Sequence, residues 1–332
     1  MAETPSSQHL TRAFEDSEQE LKNNLPPWSE ADFKQRLLTV FLYIAIYLPV
    51  VVLLGLVIGG YIIYLIFYIY PLVGDTDDRP ELYYWHSDSE KTNAETRGWI
   101  FFTLVTWCIF WILVSHYRAL KTDPGQIPRE REWDIPDDEN DESSSESVVL
   151  IEKRKDGSIR TCARCTMRKP DRTHHCKQCE RCNLKMDHHC NWVANCVGYF
   201  NYKYFFLIVF YGAVALAIFI STFWETVVVV LNDSESSAAL CFFVVLCYSL
   251  ILMLGIAVIG FCIFHIRLMI QNYTTIEYCE KKKQKVQEYK VSPFDKGAWN
   301  NLKEALGKNW YWWLVPFNYR DPDEKGLHFG RK

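Results

Sequence analysis

Four stretches of this 332-residue sequence contain no Asp, Glu, Lys or Arg at all: Leu37–Tyr70, Gly98–Tyr117, Tyr204–Trp224 and Ser236–Ile266. Each is at least as long as the roughly 20 apolar residues a helix needs to cross a bilayer, so the missing charge excludes a soluble or disordered chain. Mean hydropathy is still only -0.10, because the apolar runs alternate with strongly charged segments. A basic excess is also missing: at a net charge of -4 the chain has no electrostatic footprint for nucleic acid. Position 2 is Ala rather than Gly, which excludes N-myristoylation and leaves attachment to the spans. Cysteine is sparse outside one segment. Seven of the twelve lie between Cys162 and Cys196 and no secretory signal is recognisable, so a disulfide scaffold gives way to metal binding, catalysis or both.

The runs predict an all-α polytopic membrane protein. The first run has 34 uncharged residues, more than one span needs, and Pro49 with Gly59-Gly60 offers a kink or a hairpin. Charge decides for one helix, hence four transmembrane helices in all. Lys34, Arg36, Arg118, Lys121, Lys203, Arg267 and the Lys281–Lys283 run then share the cytosolic side, whereas Asp75–Glu95 holds seven acids against Arg79 and Lys91. The expected division is a cytosolic N-terminal tail (1–36), two transmembrane helices (37–120) with a luminal loop (71–97), a cytosolic linker and cysteine-rich zinc domain between the second and third helices (121–203), the third and fourth helices (204–270), and a cytosolic C-terminal region (271–332). Both termini are therefore expected in the cytosol. Within the linker, Trp133–Ser147 is acidic, serine-rich and unable to bury a core. In the C-terminal region, Asp295–Gly307 has Ala298, Leu302, Ala305 and Leu306 at the spacing of an amphipathic helix. Trp310–Trp313 and Phe317 follow as an aromatic cluster of the kind found at membrane interfaces.

The cysteine-rich segment repeats with a period of 14. Cys162, Cys165, His174, His175, Cys176 and Cys182 map onto Cys176, Cys179, His188, His189, Cys190 and Cys196. Each copy offers Cys-x2-Cys-x9-His-x6-Cys, a Cys3His set suited to tetrahedral zinc. Two closed sites, Cys162, Cys165, His175 and Cys182 for one and Cys176, Cys179, His189 and Cys196 for the other, leave His174, His188 and Cys190 over. In a third copy begun at Cys190 the partner positions are Val193, Lys203 and Phe210, none of which binds zinc. Asp187 stands before the second His-His-Cys triplet, where the first copy has Thr173. A histidine held by a carboxylate beside a thiol is the arrangement that activates a cysteine nucleophile. The plainer alternative is a turn-capping Asp187 and a surplus buried Cys190.

At these residues the chain resembles the DHHC protein S-acyltransferases, or palmitoyltransferases. Asp187-His188-His189-Cys190 is that family's name motif. Asp123-Pro124-Gly125, Thr274-Thr275-Ile276-Glu277 and the element around Phe294, Gly297 and Asn301 extend the resemblance over about Leu37 to Phe317. It implies four transmembrane helices over a cytosolic domain with two structural zinc ions, and a two-step reaction. Cys190 would accept a long-chain acyl group, palmitoyl above all, from acyl-CoA and pass it to a cysteine of a target protein, with His188 as general base and Asp187 orienting it. Expected partners are cytosolic or membrane-associated proteins with membrane-proximal cysteines, the acyl-CoA and the lipid bilayer. The expected location is the endomembrane system: Golgi, endoplasmic reticulum, vacuole or plasma membrane. The chain departs from the family pattern at Asn191 for proline, at Ala194-Asn195 for two asparagines, and at Ser292 for asparagine. Trp192 matches, and is expected either to touch the first carbons of the acyl chain or to anchor at the interface.

Ala215, among the small residues Gly212, Ala213 and Ala217 of the third span, is expected to face the end of an acyl tunnel; the alternative is close helix packing. Asn301, Thr274 and Glu277 are expected to tie the C-terminal region to the zinc domain, Glu225 to sit near the far interface, and Cys279 to be open to acylation. Two rival functions, a noncatalytic recruiting scaffold and a metal transporter, compete with the enzyme; the first leaves Asp187, His188 and Cys190 without a role, and the second has few polar ligands in the spans to carry a metal.

Overall fold

The protein was analysed as a computed structural model that describes residues 32–74, 88–135, 150, 152–154, 157–284, 291–317 and 326–329. Most of the N-terminal tail, residues 75–87 of the luminal loop and the acidic part of the linker lie outside the described residues. Helix α1 (Phe33–Val73) opens on a capping box, in which the Asp32 carboxylate accepts from the Gln35 N–H and Gln35 Oε1 from the Asp32 N–H, both at 2.8 Å. It runs through Pro49, Gly59 and Gly60 without reversing, so no hairpin forms. Its irregularity comes later, as a π turn over Leu65–Ile69. The 41 residues span about 60 Å at 1.5 Å each, twice a bilayer core of about 30 Å. The helix must therefore tilt or project.

Helices α2 (Asp88–Lys121), α3 (Tyr202–Asn232) and α4 (Ala238–Gln271) complete four apolar helices long enough to cross a membrane. Leu48, Val51, Leu56, Phe242, Met253 and Ile256 are exposed along them, as lipid-facing positions are. Hydroxyl and carbonyl pairs join the helices where water is absent. Tyr61 meets Thr106 at 2.7 Å, Tyr64 meets Thr222 at 2.9 Å, and Thr226 Oγ1 donates at 3.0 Å to the carbonyl of Phe67 in the π turn. Near the same end Arg97 pairs with Glu225 at 2.8 Å. Where α3 and α4 pack, Gly255 faces Ile220, whose Cδ1 would lie 2.3 Å from an added Cβ and would have to move aside for it.

Between α2 and α3 the chain folds into three small antiparallel hairpins: β1 (Thr161–Cys162) with β2 (Met167–Arg168), β3 (His174–Cys176) with β4 (Arg181–Asn183), and β5 (His188–Cys190) with β6 (Asn195–Val197). The period of 14 is visible in the backbone. Thr166, Glu180 and Ala194 all adopt the left-handed conformation, with φ of 51°, 53° and 45°, and close equivalent turns. Register repeats as well: His175 lies opposite Cys182 and His189 opposite Cys196. After α4 come α5 (Thr275–Gln284) and the amphipathic α6 (Ala298–Leu306), the latter close to expectation. Trp133, Leu184, Phe294, Leu327 and Phe329 form the core that joins linker, hairpins and C-terminal region.

Candidate active site and metal centres

Strand geometry sorts the two histidines of each triplet. Successive side chains of a strand point to opposite faces, so His189 faces one way and His188 with Cys190 the other. On its face His189 joins Cys176, Cys179 and Cys196, and His175 likewise joins Cys162, Cys165 and Cys182, with all donor atoms of each group within 4.8 Å of one another. From His175 Nδ1 the three sulfurs lie at 3.2, 3.5 and 3.9 Å, and from His189 Nδ1 at 3.4, 3.6 and 3.6 Å. A tetrahedron with metal bonds of about 2.0–2.3 Å has edges close to these lengths, so both donor sets fit a zinc ion with no open position. Both groupings are those read from the spacing. Cys176, which occupies in β3 the place that Cys190 has in β5, is spent as a ligand of the second centre.

Cys190 therefore begins a zinc-type turn without a metal. It is buried in an apolar cluster with Val193, Phe205, Val209 and Ala213 of the hairpin and α3, and Cys262 of α4. The turn after it, Asn191–Val193, is bolted to the end of α2. His116 Nε2 lies 2.9 Å from the Trp192 carbonyl, and Asn195 Nδ2 donates to the carbonyls of Ala119, Leu120 and Thr122 at 3.0–3.3 Å. Asn195 thus takes up the orphan carbonyls of that helix end. Trp192 itself is half-exposed. Ala215 lies where α1, α2 and α3 meet, against the cluster of Cys108, Trp111, Leu207 and Tyr211, with Val57 beside it. Of the small residues of α3 named above, Ala213, to which sequence reasoning gave no separate role, is the one buried in the cluster of Cys190.

Asp187 is fully enclosed, and its carboxylate accepts three hydrogen bonds. His188 Nδ1 lies 2.7 Å from Oδ2, Thr275 Oγ1 2.7 Å from the same oxygen, and the Thr275 N–H 2.9 Å from Oδ1. Burial by itself raises this carboxyl; the bonds and charge of His188 and the Thr275 N–H outweigh it and hold Asp187 below its ordinary value. Burial likewise lowers the His188 imidazole, but the hydrogen bonds to Asp187 and Cys190 and the negative charge of both raise it to about 9. A histidine that keeps its proton at neutral pH is suited to pair with a thiolate. The edge of Phe205 packs on this ring, centroids 4.9 Å apart.

Thr275 reaches the site because α5 is clamped. Glu277 accepts from the Thr274 N–H at 2.9 Å and forms a two-pronged ion pair with Arg172 at 2.7 and 2.8 Å. Asn301 does bond backbone, but at the end of α4 and its own turn: its amide donates to the Ile270 carbonyl at 2.8 Å and its oxygen accepts from the Lys296 N–H at 2.8 Å. Glu225 is in the ion pair near the far end of the bundle, and Cys279 is exposed on α5. Sequence reasoning quoted Thr275 without a role and missed Arg172. No local signal marks either, since their partners lie 88 and 105 residues away.

The sequence profile described as DHHC palmitoyltransferase matches residues 155–282. The chain is 37% identical to the Arabidopsis thaliana "Probable protein S-acyltransferase 16" over 65% of this chain and 74% of that protein. It is 34% identical to "Probable protein S-acyltransferase 15" of the same plant, over 73% of this chain and 90% of the other. With "Palmitoyltransferase PFA3" of Debaryomyces hansenii it shares 33% identity over 58% of this chain and 53% of the yeast protein.

Proposed function

The chain belongs to the DHHC palmitoyltransferase family, and on that premise we propose that its acyl transfer runs through the thiol of Cys190, with His188 as general base and Asp187 as its orienting acid. It is a protein S-acyltransferase. The observation that carries the assignment of residues is the strand alternation of β5, which gives His189 to a metal centre and leaves His188, held at 2.7 Å by Asp187, on the side of a thiol without a metal.

The reaction balances without a redox partner. The proton of the Cys190 thiol already rests on His188 in the thiolate–imidazolium pair that its raised imidazole favours, and in the first step the sulfur attacks the thioester carbonyl of a long-chain acyl-CoA. The new carbon–sulfur bond forms, the bond to coenzyme A breaks, and its thiolate recovers the proton from His188. In the second step a cysteine thiol of the target protein gives its proton to His188 and attacks the acyl-enzyme, and Cys190 leaves as the thiol. A thioester replaces a thioester each time, so the protein's task is to position groups and exclude water. The apolar cluster around Cys190 supports a path for the acyl chain that starts beside α3 and α4 with Trp192 at its mouth, continues past Ile208 and Phe210, which pack on both clusters, and closes at Ala215, where α3 meets α1 and α2. Bound at the two Cys3His centres, zinc would supply folding energy by tying the hairpins together, and those eight residues would hold it.

The clustered positive charge supports placing the linker, zinc domain and both termini in the cytosol, where acyl-CoA and membrane-proximal cysteines of substrate proteins are met, on a membrane of the endomembrane system. The test is intact-mass analysis of the purified full-length protein after incubation with mixed acyl-CoAs. One acyl group mapped to Cys190 is expected, and acylation that persists in Cys190→Ser would overturn the assignment.

A further inference from the structure

Behind the catalytic histidine stands another histidine that this reaction does not use. His265 lies on α4 less than two turns before its end and is 1% exposed. The rings of Phe205, Phe261 and Phe264 surround it, with centroids 5.1, 4.5 and 5.4 Å away. An ionisable ring in such surroundings on a spanning helix is costly to bury, and its presence raises a functional question. Its hydrogen-bond partner is the Tyr202 hydroxyl, 3.2 Å from Nδ1, in the first turn of α3.

One turn along α3 from Tyr202 is Phe205, and that ring stands between the two histidines. It meets His188 edge-on at 4.9 Å and His265 edge-on at 5.1 Å, while the histidine rings themselves are 6.4 Å apart. Asp187 fixes one end of the His188 ring through Nδ1 and Cys190 bonds the ring as well; packing against the edge-on ring of Phe205 sets the plane in which the imidazole lies between them. Phe205 in turn is held by Phe261 and Tyr202, at 6.1 and 6.3 Å, and most closely by His265, and a buried histidine that lost its polar partner would turn to find another.

We propose that Tyr202 and His265 are positioning residues for acyl transfer: their hydrogen bond holds Phe205 against His188 and keeps the imidazole aimed at the Cys190 sulfur. The proposal rests on the catalytic reading of Cys190 and His188 given above. Neither residue belongs to a metal centre, so the effect is separable from folding of the zinc domain.

The experiment uses the full-length, metal-loaded protein and the variants Tyr202→Phe, His265→Phe and the two combined, all of which keep the rings. Two rates are measured: acylation of Cys190 at saturating palmitoyl-CoA, and alkylation of Cys190 by iodoacetamide, located by peptide mapping. The second needs no acyl-CoA site, and looser packing of the bundle would expose the buried Cys190 and speed it, so a slower rate reports the reactivity of the thiol. Each single variant should slow both rates about 3- to 10-fold, the worth of one buried hydrogen bond, with the KM for palmitoyl-CoA within about twofold and both metal equivalents retained. The double variant should be no slower than the slower single one, because all three lose the same bond. Wild-type rates in the single variants, additive losses in the double, or slowed acylation with unchanged alkylation would each overturn the proposal. Should His265→Phe lose metal, Tyr202→Phe, which removes one oxygen atom, carries the test alone. A wild-type protein whose Cys190 is not acylated would instead sink the catalytic reading.

Discussion

Removing the guanidinium of Arg172 should unfasten the C-terminal region from the zinc domain. The side chain is 0% exposed, and its donors are all engaged: Nε and Nη2 on Glu277 at 2.7 and 2.8 Å, Nη1 and Nη2 on the side chain and carbonyl of Asn272 at 2.8 and 3.1 Å, and Nη1 on Glu304 at 3.5 Å. Phe294 lies under the charge at 4.5 Å and Phe329 at 5.3 Å. One side chain thus links the hairpins to the end of α4, to α5 and to α6. Arg172→Leu would leave Glu277, whose side chain is only 11% exposed, without its partner, a change that costs up to about 3–5 kcal/mol, or up to a hundred- to several-thousand-fold in the population of the undocked state at 1.4 kcal/mol per factor of ten. Because α5 carries Thr275 to Asp187, Cys190 acylation should fall in parallel. Arg172→Lys keeps the charge but not the fork, and should recover only part of the loss. Arg172→Leu combined with Glu277→Leu should be more stable than Arg172→Leu alone, since no charge is then stranded. Thermal unfolding in detergent, limited proteolysis of the C-terminal region and acylation rate provide the readouts. Arg172→Leu with wild-type stability and protease resistance would refute the reasoning.

Cys190→Ser should keep both metal equivalents while abolishing self-acylation, whereas Cys179→Ser or His189→Ala should lose one equivalent and destabilise the domain; elemental analysis of the purified variants separates the two classes. His188→Ala should retain metal and acylate slowly, with the defect partly relieved at higher pH as more thiol ionises unaided, and Asp187→Ala should behave similarly but more mildly. With its imidazole raised to about 9 against an ordinary 6.5, His188 stabilises the fold fully below about pH 6.5 and loses that contribution as pH rises through 9. His188→Gln should therefore flatten stability against pH across that window, and an unchanged slope would count against the pairing with Asp187. Ala215→Phe should favour fourteen-carbon over eighteen-carbon acyl-CoA in competition, by several-fold per excluded carbon at about 0.8 kcal/mol for each methylene. An equal loss for all chain lengths would assign Ala215 to packing against Trp111 and Tyr211 instead.

Some of this protein is decided by neighbours in sequence, and that part is legible without a fold. The four spans follow from uncharged runs, because the bilayer imposes its requirement on each segment separately. Both metal centres follow from a spacing of 14, because each ligand set closes within some 20 residues, and the left-handed turns at Thr166, Glu180 and Ala194 repeat the same period in the backbone. The identity of the spare thiol and of the histidine beside it is local for the same reason: His188, His189 and Cys190 share one strand, and alternation does the sorting. Other features have no signature in the sequence. Thr275 on Asp187, Arg172 on Glu277 and Asn272, Tyr202 on His265, and Ala213 in the cluster of Cys190 all join residues far apart along the chain. Each is an ordinary residue type at an ordinary position. A buried polar group must be satisfied by whatever the fold brings within 3 Å of it, and that choice is made only when helices and hairpins pack together.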